Sequence, residues 1–506
     1  MQRKKKLVLN TFFSFLYRVC TIVCGFILPR LILNNFGSNV NGLVNSISQF
    51  LGIISFLELG LGSVIQSSLY KPLAEKDNDG ISGVVVSGQK FFSRIAVILL
   101  FYVGVLIVAY PFTVNNTFGF VYTATLIICI SISYFAQYYF GLIFGLLLRA
   151  DQKGYILYII ETSTLVLNTV ACFLLISYGA GIHIVKLTTS LVFVLRPILL
   201  SYFIKKNYKI NWKIKYENEP IKQKWNGVSQ HVASVVLDGT DNIVLTLFSE
   251  LKNVSIYSVY FIVVNGVKNL FISMTNGIQS LMGEMWAKKE IEELKKFFGW
   301  VEWVIHTGTV FVFGVTMIAI VPFVSIYTRD VTDANYIQPL FAVIIVLANG
   351  GHCLRLPYNL MILACGHYKE TQRNYIIATL LNIILSVVLV SAFGLIGVAI
   401  GTLVAMIYQT VWMAYYNSKN LIHWPFSCFL KQVFCDAISL ILIYFVSTMI
   451  QFRTISYIEF VFYAFKVSII AFVIILLVNL IFYRSNLWNI ARKIRERFRL
   501  IFHLGK

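Results

Sequence analysis

Long apolar runs separated by short polar segments occur along the whole chain and constrain its fold more than any other feature. A helix needs about 20 apolar residues to cross a bilayer. Of the 506 residues, 58% are hydrophobic and 13% are charged, whereas soluble proteins carry about 25% charged residues. A water-soluble fold is therefore excluded, and the sequence predicts an all-α polytopic membrane protein.

Apolar runs bounded by charged or turn residues predict about fourteen transmembrane helices. The first six lie near residues 11–33, 42–69, 91–113, 119–147, 155–177 and 183–204. The next six lie near residues 226–248, 254–283, 298–325, 337–364, 374–392 and 396–416, and a last pair near 432–450 and 459–483.

Lys and Arg residues concentrate in every second connection between the predicted spans. Only Lys252, Arg329 and Arg453 fall in the other connections. Since cytoplasmic loops carry the excess of cations, both termini are predicted to be cytoplasmic. This asymmetry explains the net charge of +20, so no nucleic-acid partner is expected.

A shift of the chain against itself by 214 residues aligns identical residues and preserves the order of the spans. It pairs Gly25 with Gly239 and Asn168 with Asn382. Chance identity in apolar sequence is the alternative to an internal duplication. Because six spans return the chain to its starting side, duplicated lobes would be parallel. The predicted divisions are an N-terminal six-helix lobe (1–204), a basic linker (205–225), a C-terminal six-helix lobe (226–417), an additional helix pair (428–484) and a basic tail (485–506).

Polar and small residues recur at helical spacing in four of the spans. Such stripes either pack helices together or line a hydrated cavity. The positions in spans one, two, seven and eight are Ser14, Arg18, Thr21 and Gly25; Asn41, Asn45, Ser48, Gly52 and Glu58; His231, Ser234, Asp238 and Asp241; and Asn265, Lys268, Asn269 and Asn276.

Charged residues inside spans are costly and by default suggest a functional site. Helix packing explains Arg18, Asp241 and Lys268 poorly, so these three are predicted to line a cavity, with a buried structural ion pair as the alternative. Arg196 and Arg355 lie in the inner halves of spans, where they can line a cavity or extend to the surface. Four residues rank lower: Glu161, Lys186, Glu302 and Lys466.

The chain lacks the signatures of the common catalytic and metal sites. It contains neither the phosphate-loop pattern nor the H-E-x-x-H pattern. Its eight cysteines lie in or beside apolar stretches without metal-ligand spacing. The external loops are short, which leaves little room for a catalytic segment. We therefore expect a protein that is not an enzyme and that holds no metal or resident cofactor.

Several stretches resemble the polysaccharide repeat-unit flippases of the Wzx type, which belong to the multidrug/oligosaccharidyl-lipid/polysaccharide (MOP) exporter superfamily together with the MATE transporters. They are residues 35–37 (NFG), 41–43 (NGL), 58–62 (ELGLG), 69–77 (LYKPLAEKD), 241–243 (DNI) and 254–260 (VSIYSVY). The resemblance covers nearly the whole chain, although the family usually has Tyr where this chain has Asn41.

The resemblance implies a flippase of a bacterial cytoplasmic membrane that moves oligosaccharide units linked to undecaprenyl pyrophosphate to the outer leaflet. Such units serve capsule, exopolysaccharide or O-antigen assembly, with a polymerase and a chain-length regulator as partners. Two lobes rocking around a cationic cavity would give alternating access. H⁺ or Na⁺ is the candidate coupling ion.

The predicted site residues follow from this implied substrate. Cations would hold the pyrophosphate, amides would bond sugar hydroxyls, and carboxylates would couple the ion. They are Arg18, Arg30, Lys268 and Arg355 for the pyrophosphate; Asn45, Asn265, Asn269 and Asn276 for the sugars; Asp238 and Asp241 for the ion; and Glu58 as a cavity carboxylate. A MATE-like exporter of small molecules and a membrane enzyme of glycan assembly are the alternatives.

Overall fold

The computed structural model describes residues 2–58, 61–113, 118–214, 221, 228–450, 456–488 and 492. The α-helices in these ranges are α1 (Gln2–Gly52), α2 (Leu61–Glu75), α3 (Asn78–Thr113), α4 (Phe120–Ala136), α5 (Leu142–Ala150), α6 (Gly154–Ser177), α7 (Ile182–Asn207), α8 (Val228–Phe248), α9 (Leu251–Met274), α10 (Asn276–Ala287), α11 (Ile291–Tyr327), α12 (Pro339–Leu354), α13 (Leu356–Ala364), α14 (Tyr368–Asn420), α15 (Phe426–Thr448) and α16 (Tyr457–Phe482). A 3-10 segment covers Ile53–Glu58, and a π-helical segment covers Gln137–Gly141.

Eleven stretches of the described chain are long and apolar enough to cross a membrane. Two of them, Val8–Glu58 and Lys369–Asn420, are 51 and 52 residues long. At about 1.5 Å per residue, each is more than twice as long as the ~30 Å hydrocarbon core is thick. Each is divided by a glycine with non-helical geometry, Gly37 or Gly394, and therefore crosses twice. The two additional crossings and α8 raise the number of spans from eleven to fourteen. This confirms the predicted all-α membrane fold of about fourteen spans.

Several of the spans are broken into two helical pieces, and the helix boundaries repeat along the chain. The pieces α5 (Leu142–Ala150) and α13 (Leu356–Ala364) have both ends shifted by 214 residues. The next helices, α6 and α14, begin at Gly154 and Tyr368 with the same shift. The helix boundaries thus recur at the spacing that aligns the sequence with itself.

The described helices group into two compact units. Unit 1 comprises Met1–Ile262, Asp330–Ala334 and Val387–Val398, and unit 2 comprises Val263–Arg329, Asn335–Ser386 and Ala399–Lys506. In unit 2, α11 packs against α12, α15 and α16. The boundaries of these units reflect how the helices pack. The lobe boundaries at 204 and 226 are derived from the repetition in the sequence, and they stay a prediction.

Within unit 1, the second half of α1 is joined to α8 and α9 by small and polar residues. The Asn41 amide donates to Ser255 Oγ at 2.7 Å, and the hydroxyls of Ser46 and Thr246 lie 2.7 Å apart. Asn41 and Ser255 are themselves 214 positions apart. At Gly42, a Cβ atom would fall against the backbone carbonyl of Leu251, so only glycine permits this close approach. This part of the polar stripe packs helices together.

The break in α1 depends on Gly37 and Asp333. Gly37 has φ 79° and ψ 175°, a conformation that is essentially restricted to glycine. One oxygen of Asp333 accepts from the Ser38 amide at 2.8 Å, and the other accepts from Ser38 Oγ at 2.6 Å. The carboxylate thereby caps the helical segment that starts after the break.

We expect Gly37→Ala to lower the stability of the folded protein by about 1–3 kcal/mol, because the backbone must be strained or must change conformation. The new Cβ would also lie 3.0 Å from Asp333 Oδ2. Thermal unfolding of the purified protein in detergent measures the effect. Gly25→Ala on the same helix is the matched control, since its Cβ meets nothing within 4 Å. An unchanged melting temperature in Gly37→Ala would contradict the assigned strain.

Candidate functional site: a cationic cavity in unit 1

Unit 1 contains a cavity of about 770 Å³ among α1, α2, the α4–α5 break, α6 and α7. Apolar, polar and charged side chains all contribute to its wall. The polar and charged lining residues are Ser48, Glu58, Gln66, Ser133, Tyr134, Gln137, Arg149, Glu161, Asn168, Cys172, Lys186, Thr189, Ser190 and Arg196. A space of this size, with convergent polar groups, has the properties of a ligand site.

The cavity lies beside the π-helical break between α4 and α5. Residues Gly141 and Gly145 contribute no side chain to its wall, and a Cβ on Gly141 would lie 3.3 Å from Pro197. Single-turn π segments occur often at functional sites. The break and the glycines leave the space in which the charged side chains of α5, α6 and α7 meet.

Three cations line the cavity at different depths. Arg149 lies in the last turn of α5. The C-terminal end of α7 lies beside the C-terminal end of α5, because Tyr208, which follows α7, hydrogen-bonds to Asp151, which follows α5. Arg196 precedes that end by eleven residues, or about 16 Å of helix, and Lys186 lies about 15 Å further. The cations therefore form a series, called here the cation ladder (Arg149, Arg196 and Lys186), along the length of the cavity.

The Arg196 side chain is held in place by its uncharged neighbours. Its Nε donates to Thr164 Oγ1 at 2.7 Å, and its guanidinium carbon lies 4.0 Å from the centroid of the Phe193 ring. Glu161 lies within electrostatic range. In the described residues, the two terminal nitrogens of Arg196 form no ion pair. These nitrogens can present the planar double donor that suits a phosphate group.

Lys186 lies deeper in the membrane span and is half-buried. Its charged group is in electrostatic range of the Cys172 thiol, and Thr189 and Asn168 also line the wall. Among the residues that the structure describes, it takes part in no salt bridge. A cation in this position is costly unless water or an anion occupies the cavity.

Two carboxylates share the cavity with the cation ladder. Glu58 accepts a hydrogen bond from Tyr138 at 2.8 Å. Glu161 lies within electrostatic range of Arg196 and Arg149. Three cations and two carboxylates give a positive balance, so the wall as a whole favours an anionic ligand.

The cation ladder begins next to an ordered cluster at the end of α5. Asp151 bonds Lys153 at 2.7 Å and Tyr208 at 2.5 Å, and Lys6 lies at 3.5 Å. Burial opposes ionisation of Asp151, but the hydrogen bonds from Lys153 and Tyr208 hold its pKa below the ordinary value. Burial and the bond to Asp151 raise the pKa of Tyr208. This cluster fixes the turn that follows Arg149 at the end of α5.

Most of the predicted site residues of unit 1 lie outside the cavity wall. Arg18 is half-buried on α1 and is not a lining residue. Arg30 lies 3.8 Å from Asp330. The Asn45 amide donates to Asn41 O at 2.8 Å and to Ser258 Oγ at 3.3 Å, which is a packing contact. Asp241 is buried and accepts from Tyr257 at 2.9 Å, whereas Glu58 does line the cavity.

Two predicted cations come together in unit 2. Lys268 and Arg355 are both buried, and both lie within electrostatic range of His352 and Cys353. Arg355 Nη2 lies 3.1 Å from His352 Nδ1. Their predicted role in pyrophosphate binding stays a prediction.

Two of the remaining predicted amides, Asn265 and Asn269, are not lining residues of the cavity. Asn265 is half-buried and Asn269 is exposed on α9. The side chains of Asp238 and Asn276 lie outside the described residues. Their predicted roles with ions and sugars stay predictions.

The sequence leaves Arg196 open between cavity and surface, ranks Lys186 and Glu161 lower and does not single out Arg149, and all four line this cavity. The repeat offers a signal that could have raised them. With the 214-residue shift, the partners of Lys186, Arg196 and Arg149 are Ile400, Thr410 and Leu363. Uncharged residues suffice at these positions in the second repeat, so packing does not require the cations.

The helices described above define an all-α, multi-pass membrane fold. No known family model and no curated protein sequence matches the chain. Solved structures do: the lipid II flippase MurJ in an inward closed conformation has a TM-score of 0.71 at 17% identity, covering 94% of this chain and 99% of that chain. A mutant of the Vibrio cholerae MATE transporter VcmN has a TM-score of 0.59 at 14% identity, over 83% and 98% of the two chains. A MOP superfamily transporter from Pyrococcus furiosus has a TM-score of 0.57 at 13% identity, over 82% and 94%. The chain is therefore a multi-pass membrane protein that shares its fold with these transporters.

Proposed function

We propose that this protein is a flippase for oligosaccharides linked to undecaprenyl pyrophosphate. The cation ladder of Arg149, Arg196 and Lys186 within one cavity is the observation that carries the proposal. The likeness to a protein described as a lipid II flippase, over 94% of this chain, supports it. The product would enter capsule, exopolysaccharide or O-antigen assembly, without any chemical reaction catalysed by this chain.

The polar wall of the cavity suits such a substrate. A pyrophosphate and its sugars cannot enter hydrocarbon, because their polar groups would lose water without replacement. Arg can bind a phosphate through two parallel hydrogen bonds, and Lys can neutralise it as a point charge. Asn168, Gln137 and Ser133 in the same wall offer amide and hydroxyl groups for sugar hydroxyls. The spacing of the cations lets an anionic headgroup pass from one to the next.

The topology and the partners complete the proposal. The protein would lie in a bacterial cytoplasmic membrane with both termini in the cytoplasm, so that Arg149 marks the cytoplasmic end of the cavity. A polysaccharide polymerase and a chain-length regulator would receive the product. The predicted contributions of Arg18, Arg30, Lys268 and Arg355 to pyrophosphate binding, and alternating access between lobes, belong to the same proposal.

A small-molecule exporter is the second candidate, and one observation favours it. Glu58 and Glu161 lie in the cavity wall, and carboxylates attract cationic drugs. The likeness to MATE transporters is consistent with this alternative. The excess of cations in the same wall argues against it.

Deletion of the gene separates the two candidates. For a flippase, lipid-linked oligosaccharide accumulates in the deletion strain, remains on the cytoplasmic side, and disappears when the gene is restored. The extracted lipid should then cross vesicle membranes that contain the purified protein. For an exporter, lipid-linked intermediates stay unchanged and the strain retains more of a cationic dye such as ethidium. That second outcome would overturn the proposed function.

A further inference from the structure

Unit 2 holds a cluster of titratable side chains that the proposed transport path does not use. Glu302 and His306 lie on α11, Tyr358 on α13, Asp436 on α15, and Trp424 between α14 and α15. These five residues are called here the acid–histidine network. Glu302, His306, Tyr358 and Asp436 are all at most 5% exposed. These four residues lie on membrane-spanning helices, where buried ionisable groups are costly.

Both oxygens of Glu302 already accept hydrogen bonds from neutral donors. The Tyr358 hydroxyl donates to Oε1 at 2.6 Å, and the Trp424 indole donates to Oε2 at 2.8 Å. This arrangement suits an ionised carboxylate, because an ionised carboxylate only accepts.

The geometry around His306 suits a doubly protonated ring. Its Nδ1 lies 2.6 Å from Asp436 Oδ2, and its Nε2 lies 3.3 Å from the Tyr358 oxygen. The Tyr358 proton is directed to Glu302, so the Tyr358 oxygen can receive a proton from Nε2. A backbone hydrogen bond with Leu354 gives the ring another acceptor. With a proton on each nitrogen, both ring N–H groups therefore have acceptors.

The charges in this arrangement do not cancel. Two carboxylates and one imidazolium leave one negative charge, and the structure describes His306–Asp436 as the one ion pair in the network. The nearest cation on α15, Lys431, is exposed and donates to the Phe482 carbonyl at 2.9 Å. Uptake of one more proton by a carboxylate makes the network neutral, which burial favours.

Three other titratable groups face the network, and none of the three supplies a positive charge. Cys428 and Cys435 on α15 and Tyr483 after α16 lie within electrostatic range of Glu302 or Asp436. All three are neutral when protonated. The two carboxylates and His306 are therefore the groups that can exchange a proton near neutral pH.

The repeat shows that the fold does not require these polar groups. With the 214-residue shift, the partners of Glu302, His306 and Tyr358 are Gly88, Phe92 and Phe144. Phe92 is 1% exposed and Phe144 is 5% exposed. Apolar packing thus fills the same positions in the first repeat, and a buried ionic group is commonly no more stable than its apolar replacement.

We propose that the acid–histidine network is a proton-binding site whose net charge alternates between zero and minus one. On the proposed transport function, this proton is the coupling ion. The site is distinct from the predicted pair Asp238 and Asp241. Because α15 contributes Asp436, the additional helix pair would take part in coupling.

Proton counting on the purified full chain in detergent tests the site without any transport assay. A jump from acidic to alkaline pH, followed with a pH indicator dye, should release about one proton less per chain from Glu302→Gln or Asp436→Asn than from the unmodified protein. Infrared difference spectra between the same pH values should lose a protonated-carboxyl band in one of these variants. Equal proton release and an unchanged band in both variants would overturn the proposal.

A matched control separates proton binding from helix packing. Trp303 on α11 donates to Asn479 on α16 at 2.6 Å, so Trp303→Phe removes a buried interhelical bond without a titratable group. It should leave proton release unchanged. If either network variant fails to fold, the other and His306→Gln carry the test. Flipping driven by an imposed pH gradient is measured separately. Failure of this flipping would overturn the coupling role of the proton, whereas an unchanged proton count in the variants would overturn the proton-binding site itself.

Discussion

On the proposed function, joint replacement of Lys186 and Arg196 by glutamine is expected to reduce flipping of the lipid-linked oligosaccharide by about 100-fold or more. Hydrogen bonds to charged groups contribute about 1.5–3 kcal/mol each, so the loss of two amounts to at least about 3 kcal/mol. Both cations lie in the cavity wall, where an anionic headgroup would otherwise meet apolar surface. Transport of the extracted lipid into vesicles measures the effect.

The single exchanges Lys186→Arg and Arg196→Lys keep the charge and should retain most of the activity, with the greater loss in Arg196→Lys. Arg196 presents a planar pair of donors that Lys lacks. Lys466→Gln on α16 is the matched control, because Lys466 is an exposed cation within a span and is not a lining residue. Full flipping by a well-folded double variant would remove the cation ladder from the mechanism.

The second large effect concerns the contact between α1 and α9. We expect Gly42→Ala to lower the yield of folded protein severely, with a loss of about 3 kcal/mol or more. Overpacking commonly costs about 1–3 kcal/mol when side chains can yield. Here the obstacle is the backbone carbonyl of Leu251, so the two helices must separate. Their separation would also break the bond from Asn41 to Ser255.

Size-exclusion chromatography and thermal unfolding in detergent measure this loss. Gly52→Ala near the end of the same helix is the matched control, because its Cβ meets nothing within 4 Å. The control should behave like the unmodified protein. Equal stability of the two variants would show that the close approach at Gly42 is not needed for folding.

Local properties of the sequence were sufficient for much of the fold. Hydropathy places the spans, since the cost of a polar group in hydrocarbon is a property of each residue. The exceptions arise at breaks inside spans. The π-helical segment Gln137–Gly141 lies inside the predicted span 119–147 and has no apolar signal, because a break is decided by backbone geometry and by the helices that pack around it.

The candidate site was less accessible from the sequence. Asn45 and Lys186 both look like candidates to line a cavity when each span is considered alone. The structure packs Asn45 against Asn41 and Ser258, whereas Lys186 lines the cavity. Helical periodicity identifies a polar face but does not identify the helix that the face contacts.

By itself, the sequence determined a multi-pass helical membrane protein with intramembrane charges and a 214-residue periodicity. Those features follow from hydrophobicity, charge and spacing, which each segment carries alone. Only the tertiary structure decided that Arg149, Arg196 and Lys186 share one cavity, and that Glu302, His306 and Asp436 share one hydrogen-bonded network. These groupings join residues distant in sequence, and their physical basis is the packing of whole helices around breaks and glycines.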